Sequence, residues 1–348
     1  MTPAPRRIVV TGATGLLGSN VVARLLADGV EVVAFVRDKT KADRTLPASD
    51  RLSIVVGDVT DVDSVVPALP GADAVVHTAA YFREYYGPDV DEDLMERTNV
   101  EAVTRLLRAA VEGSVPAFVH VSSTGVLPDG TEEGPADEDA PLAPTSGSNR
   151  YFASKVHSEL AVREFRRQHQ LAVAVVRPGW MWGPGDTGPT SSGSLFLSIA
   201  RGRLRAIPDV GRYAVDARDV ADACVSAVGR SGTWIVGGRR HRLIDICTEV
   251  AAATGAAPPR PVPPAAAIVG AAALEAVARV RRRPTAASRR GARALIGGDR
   301  RWMSSARAEK DLGVKFRPLA DTVRDEAAWF AGEGRLPSGQ GSRSQNRR

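Results

Sequence analysis

Arg7-Ile8-Val9-Val10-Thr11 running into Gly12-Ala13-Thr14-Gly15-Leu16-Leu17-Gly18 is the stretch that decides the fold. The first five residues are a short β-branched run of the kind that forms a buried strand. The glycines follow, and the apolar positions of 16–27 then repeat at helical spacing. A strand that turns through glycines directly into a helix makes a nucleotide cradle. Glycines allow the tight turn, the close approach of backbone to a pyrophosphate and the close packing of helix on strand. The helix N-terminus adds N–H donors and a positive field. Gly12, Thr14, Gly15, Leu16, Leu17 and Gly18 are therefore expected to line such a cradle. Glycines also mark ordinary turns, and the strand–turn–helix context weighs against that reading.

Outward from this turn the rhythm continues. Strand runs at 31–36, 52–56, 74–77, 115–121 and 172–176 alternate with helical patterns at 61–69, 94–112 and 151–168. Runs that are apolar throughout predict strands covered on both faces, hence an α/β fold with a doubly wound, Rossmann-type parallel sheet. Its ligands bind at the C-terminal strand ends. After Arg177 the rhythm breaks. Residues 178–193 read as a loop, and helical patterns follow at 194–201, 217–227, 243–253, 265–282 and 322–330. The expected organisation is a nucleotide-binding domain at 1–178, to which 212–229 return. A smaller, mostly helical substrate lobe spans 179–332, and a disordered basic tail spans 333–348.

Composition narrows the class. The chain has 348 residues, 43% apolar and 25% charged, which excludes disordered and disulfide-dense proteins. Two cysteines cannot build a disulfide framework, and no signal peptide is read at the start, so a cytoplasmic protein is expected. The net charge of +6 is uneven: 279–348 hold 18 Lys/Arg against 7 Asp/Glu. No nucleic-acid motif accompanies this excess, so it reads as solvated surface. Residues 265–278, alanine-rich and followed by arginines, have the makings of a surface-lying membrane helix. With one glycine and no large aromatic they read instead as a packing helix, without membrane contact.

The end of the second strand bears on which nucleotide binds. An acid there bonds a ribose 2′-hydroxyl, and an arginine accepts a 2′-phosphate. Here the strand ends in Arg37, followed by Asp38, Lys39, Lys41 and Arg44, with Arg37 and Lys41 the expected phosphate contacts. A guanidinium offers phosphate paired hydrogen bonds. NADP is the expected cofactor, and Asp38 keeps NAD as the alternative.

Tyr151 and Lys155 stand four residues apart on a helical pattern, so they share a face. An unperturbed tyrosine is a poor acid–base at neutral pH, and a neighbouring ammonium favours its phenolate. With only five tyrosines and five lysines in the chain, the pairing is unusual by chance. Val121-Ser122-Ser123-Thr124 adds hydroxyls at a strand end, where they can hold a substrate oxygen. Strand-end hydroxyls are also common caps.

These features together resemble the extended short-chain dehydrogenase/reductases, the NAD-dependent epimerase/dehydratase superfamily. The motifs that carry the likeness are the glycines, Gly57-Asp58-Val59, His77-Thr78-Ala79-Ala80, Asn99-Val100, the Ser-Ser-Thr turn, Tyr151 with Lys155, and Arg177-Pro178 leading to Gly183-Pro184. The likeness covers about 6–332 and is nearest the dihydroflavonol-reductase-like and hopanoid-associated sugar-epimerase-like branch. It implies that Asp58 and Val59 hold the adenine. Thr78, Ala79, Ala80, Val121 and Ser122 would lie along the cofactor, with Pro178, Gly179, Trp180 and Met181 closing over the nicotinamide. Thr124, or Ser123 if the turn shifts by one, would be the catalytic hydroxyl. Tyr151 would be the acid, and Lys155 would hold the ribose while lowering the tyrosine's pKa. Asn99 would be structural, bridging strands four and five.

The resemblance implies an NADP-dependent oxidoreductase acting on a ketone or aldehyde, or on the alcohol in reverse, and a possible homodimer. A nucleotide-sugar epimerase or dehydratase with retained NAD is the alternative, and a non-catalytic NADP-binding scaffold the second. Gly125-Val126 stand where such a dehydratase normally carries an acid pair, which disfavours it. Tyr81, Phe82, Tyr85, Tyr86, Trp180 and Trp182 crowd the expected mouth, with Tyr81, Tyr85, Trp180, Trp182 and Thr124 as substrate contacts. So many aromatics imply a flat or apolar small molecule.

Overall fold

The apolar runs form the strands of one parallel sheet in the computed structural model, which describes residues 6–82, 90–145, 149–281 and 289–336. In chain order these are β1 (Arg7–Thr11), β2 (Glu31–Val36), β3 (Leu52–Val56), β4 (Ala74–His77), β5 (Ala117–Val121) and β6 (Ala172–Pro178). The helices between them are α1 (Leu16–Ala27), α2 (Lys39–Thr45), α3 (Glu92–Glu96), α4 (Ala102–Glu112) and α5 (Arg150–Gln168). Strand order across the sheet is 3-2-1-4-5-6, with a seventh strand, Gly232–Val236, beside β6. The order reverses between β1 and β4, so a crevice opens at their C-terminal ends, beside the glycine turn.

Alternate strand residues feed two separate cores. Ile8, Val10, Val32 and Ala34 pack under Leu17, Val21 and Leu25 of α1. Val9, Val33, Phe35 and Phe118 pack under Val103, Leu106 and Leu107 of α4 and Phe165 of α5. Burying each such side chain contributes about 1.5–3 kcal/mol.

The second lobe begins with β7 (Trp180–Trp182), α6 (Ser191–Ala200), β8 (Ala206–Pro208), β9 (Gly211–Asp216) and α7 (Ala217–Ser226). Next come β10 (Gly232–Val236), β11 (Arg239–Arg242), α8 (Leu243–Thr254), β12 (Arg260–Val262), α9 (Pro264–Arg281), α10 (Arg289–Gly297), α11 (Ala306–Leu312) and α12 (Leu319–Gly332). Strands β7, β9 and β11 make a small sheet, and β8 pairs with β12. The lobe's core gathers Trp182, Phe196, Ile199, Ile246, Val250 and Phe330. Three segments return to the first domain: α7, whose Val220, Ala221 and Cys224 share the α1 core, β10, and α11, whose Ala308 and Leu312 join the same core. The preceding strand β9 belongs to the small sheet.

Several expectations are corrected. Residues 61–69 form two single 3-10 turns, Val62–Ser64 and Val66–Ala68, because Pro67 lacks an N–H and bars a continuous helix. Between α3 and α4 the turn Arg97–Glu101 is a π-helix. Its wider turn shifts the phase, so Asn99 faces inward while Leu94 and Val100 are only half-buried. The 178–193 stretch is not all loop, since it contains β7 and the start of α6. Buried carboxylates hold what remains: Asp186 accepts from Thr190 N and Oγ1, and Glu326 accepts from Gly183 N. Burial pushes the Glu326 carboxyl well above the usual carboxylate range.

Helix α9 is a packing helix on one face only. Ala271 is buried and Ala267 and Ile268 half-buried, but Ala265, Ala266, Val269, Gly270, Ala273, Leu274, Ala276 and Val277 are exposed. Among the described residues no helix is long and apolar enough to cross a membrane. Tyr85, Tyr86 and most of the expected basic tail, 337–348, lie outside the described residues.

Candidate active site

The glycine turn has the shape the cradle needs. Gly12 is left-handed (φ +69°), and a Cβ there would sit 2.6 Å from Ala79 N. A Cβ on Gly18 would sit 2.2 Å from the Gly12 carbonyl oxygen. Gly15 caps α1 and, among the described residues, no side chain accepts from the N–H groups of the first turn, which face the crevice uncapped. Leu16 and Leu17 are buried and contribute backbone alone, and Thr14 O accepts from Thr187 Oγ1 at 3.3 Å.

At the end of β2 Arg37 is exposed and has no side-chain partner among the described residues. Asp38 is committed elsewhere: it N-caps α2, accepting from Lys41 N at 3.0 Å. Lys39 pairs with Asp43. Beyond β3, Asp58 Oδ1 closes its own turn by accepting from Thr60 N and Oγ1 (2.9 and 2.8 Å), and Val59 is buried. Thr78 donates to Thr11 O at 2.7 Å, which sets Ala79 and Ala80 against the glycine turn.

The Tyr–Lys helix lies across the end of β5. Lys155 is 3% exposed and donates to Val121 O at 3.0 Å. Its other two donors have no acceptor among the described residues. Burial lowers its pKa to about 8, against which Glu159 acts to raise it. Tyr151 is buried between the rings of Phe82 (5.0 Å) and Phe152 (5.5 Å). The turn Thr124–Val126 packs on the same helix, with Gly125 against the Phe152 ring.

The hydroxyls at this strand end now separate. Ser123 Oγ caps the turn, accepting from Gly125 N at 3.0 Å. Ser122 Oγ is buried with no partner among the described residues. Thr124 is buried and its hydroxyl has no hydrogen bond among the described residues, which leaves it uncommitted.

Other expectations change. Asn99 does not bridge strands four and five. It ties the loop after β4 to α5, accepting from Tyr81 N (2.8 Å) and donating to Tyr81 O (3.2 Å) and Ser154 Oγ (3.0 Å). Tyr81 is buried and its hydroxyl accepts from Asp91 N, so it holds the loop that follows β4. Trp182 is fully enclosed in the lobe core and cannot touch a substrate. Trp180 is half-buried, donating from Nε1 to Ser191 Oγ at 3.0 Å, with the Arg212 guanidinium 5.2 Å above its ring. Pro178 is buried, Met181 half-buried, and Gly179 crosses close to the Gly237 carbonyl.

Two buried arrangements escaped the sequence. His77 and His120, on paired strands, stack at 6.0 Å and bond Thr11 Oγ1 and Ser158 Oγ. Burial, with the nearby Lys155 charge, pulls His77 to about 3 and His120 well below its ordinary value. Both are neutral at pH 7, so Lys155 is the cation here. Glu159, one turn beyond Lys155, accepts from Arg177 Nε and Nη2 at 2.9 and 2.7 Å, both side chains buried. An arginine inside an otherwise apolar strand run was the available signal.

The model of the NAD-dependent epimerase/dehydratase family matches residues 8–237. The chain belongs to that family. Membership places it among the extended short-chain dehydrogenase/reductases. It is 30% identical over 336 residues to sterol demethylase protein B of Methylococcus capsulatus, covering 94% of this chain and 99% of that one. It is 32% identical over 204 residues to a 3-beta-hydroxysteroid dehydrogenase of Mycolicibacterium neoaurum, covering 58% of this chain. The match spans only 54% of that dehydrogenase's length. The fold is that of Thermus thermophilus UDP-glucose 4-epimerase, solved with NAD, at a TM-score of 0.73, 22% identity and coverage of 94% and 99%. Among the described residues no group of three or more His, Cys, Asp or Glu is placed to hold a metal.

Proposed function

We propose that the chain is an NADP-dependent oxidoreductase that reduces a ketone or aldehyde to an alcohol, or runs the reverse, on an apolar small molecule. The observation that carries this reading is Lys155, a buried ammonium on the Tyr151 helix that bonds the Val121 carbonyl at the end of β5, three residues before a Thr124 hydroxyl with no hydrogen bond among the described residues. The glycine turn, closed to any Cβ and uncapped, fits a pyrophosphate. Arg37, without a side-chain partner among the described residues, fits a 2′-phosphate, and one oxygen of the neighbouring Asp38 is taken by the α2 cap.

A nicotinamide cofactor, held by the glycine turn, would supply the hydride to the carbonyl carbon or take it up in the reverse direction. Thr124 donates a hydrogen bond to the carbonyl oxygen. Tyr151 passes its proton to that oxygen as it becomes an alkoxide, and the phenolate left behind is stabilised by Lys155. With a pKa of about 8, Lys155 is still mostly charged at pH 7. Phe82, Phe152 and Trp180 supply apolar walls. The steroid and sterol named for the two relatives above are of the same apolar chemistry.

Fluorescence titration with NADPH and with NADH tests the cofactor assignment. A tenfold or greater preference for NADPH, about 1.4 kcal/mol, is expected, and Arg37→Ser should erase it. Preference for NADH, or NAD that purifies with the protein, would refute the reductase assignment in favour of an epimerase. Tyr151→Phe should cut turnover by orders of magnitude while NADPH still binds, and a near-normal rate would overturn its role.

A further inference from the structure

Helix α9 takes no part in the chemistry above, yet its outer face is apolar from end to end. Val269 is 69% exposed, Leu274 52% and Val277 47%, and the exposed positions between them are alanines and Gly270. A soluble helix normally turns charge outward. Glu275, the one charged residue at 265–278, is only half-buried, off this face. The charge lies at one end: Arg279 and Arg281 in the last turn of α9, then Arg289, Arg290 and Arg293 in α10. No Asp or Glu occurs between Glu275 and Asp299.

The same two helices lead to the mouth of the site. Helix α10 packs on α9, and its Leu295 carbonyl accepts from Arg212, whose guanidinium covers Trp180. Just beyond α10, the Arg301 guanidinium lies 4.5 Å over Phe152, the neighbour of Tyr151.

We propose that the outer face of α9, with the arginines of α9 and α10, docks on an anionic lipid surface and so sets the site's mouth beside the phase that holds an apolar substrate. The occupant follows from complementarity. An apolar helix face wants the acyl boundary, and a stretch of sequence with arginines and no acid between Glu275 and Asp299 wants phosphate headgroups. The helix lies on the surface and does not span it. The docking stands on α9 and α10 alone, while its purpose rests on the proposed reductase activity.

Co-sedimentation of the full chain with vesicles tests it, using phosphatidylcholine alone or mixed with phosphatidylglycerol. Binding to the mixed vesicles is expected, at least tenfold weaker to phosphatidylcholine alone, and weakened by added salt. Val269→Asp with Leu274→Asp, both exposed and harmless to packing, should lose tenfold or more. Arg279→Gln with Arg281→Gln should lose about fivefold for each charge removed. NADPH affinity should be unchanged in both variants. A full chain that stays in the supernatant, or variants that sediment like the parent, would overturn the docking. So would an oligomer that Val269→Asp with Leu274→Asp splits into monomers without vesicles, since a second copy would then own the face. NADPH binding without lipid binding removes the docking and spares the reductase. Lipid binding without NADPH binding does the opposite.

Discussion

Replacing Glu159 with Gln probes the joint between the Tyr–Lys helix and the sheet. Glu159 sits one turn beyond Lys155 on α5, and its two oxygens take two donors of Arg177 on β6 at 2.9 and 2.7 Å. Both side chains are shut off from water, at 0% and 2% exposure. Removing the carboxylate leaves a guanidinium buried without its counter-charge, which costs about 3–5 kcal/mol. At about 2 °C per kcal/mol that lowers the melting temperature by about 6 °C or more. Glu159→Met with Arg177→Met removes both charges and should recover most of that loss, because the burial penalty disappears with the pair. The substitution also reaches Lys155. The Glu159 charge raises the Lys155 pKa against the burial that holds it near 8, so its loss moves that pKa lower still. The reductive rate of the parent should fall as pH rises through about 8, where Lys155 gives up its proton. In Glu159→Gln that alkaline limb should shift to lower pH. Thermal melts and a kcat/KM profile read the two effects separately. An unchanged melting temperature, or a double variant as unstable as the single one, would refute the ion-pair reasoning. An unmoved limb would show that Lys155 is not the titrating group.

Gly18→Ala should abolish cofactor binding, since its Cβ would lie 2.2 Å from a backbone oxygen that cannot yield; titration with NADPH reads this directly. Thr124→Ala should lower kcat by about a hundredfold or more, whereas Ser123→Ala, which loses only a cap, should cost about 1 kcal/mol of stability and little rate. Steady-state kinetics beside thermal melts would reverse the two assignments if the losses were exchanged. Trp182→Ala should destabilise by about 3–5 kcal/mol without altering the choice of substrate, whereas Trp180→Ala should change KM across a substrate panel.

The first half of the chain was largely legible because its signals are local. The run 7–11 and the helix 16–27 fall where β-branched residues and helical spacing place them, and Tyr151 and Lys155 share a face because four residues make about one turn. The failures are equally physical. Pro67 breaks a pattern whose apolar spacing alone favours a helix. The π turn moves Asn99 inward by widening one turn, which no periodicity anticipates. The short strands of the second lobe carry too few residues to show a period, so 178–193 looked like loop although β7 lies within it.

By itself the sequence determined the parallel sheet, the glycine cradle and the Tyr–Lys pair, because each depends on neighbours within a turn or two of chain. Only the tertiary structure decided which similar groups are free to act. Ser123 is spent on a cap and Thr124 is not; Tyr81 holds a loop; Trp182 is sealed in a core while Trp180 is only half-buried. The outer face of α9 belongs with these, since composition alone reads 265–278 as a packing helix without saying which face is left open. Burial and hydrogen-bond commitment are set by segments distant in the chain, and no local pattern encodes which of them will meet.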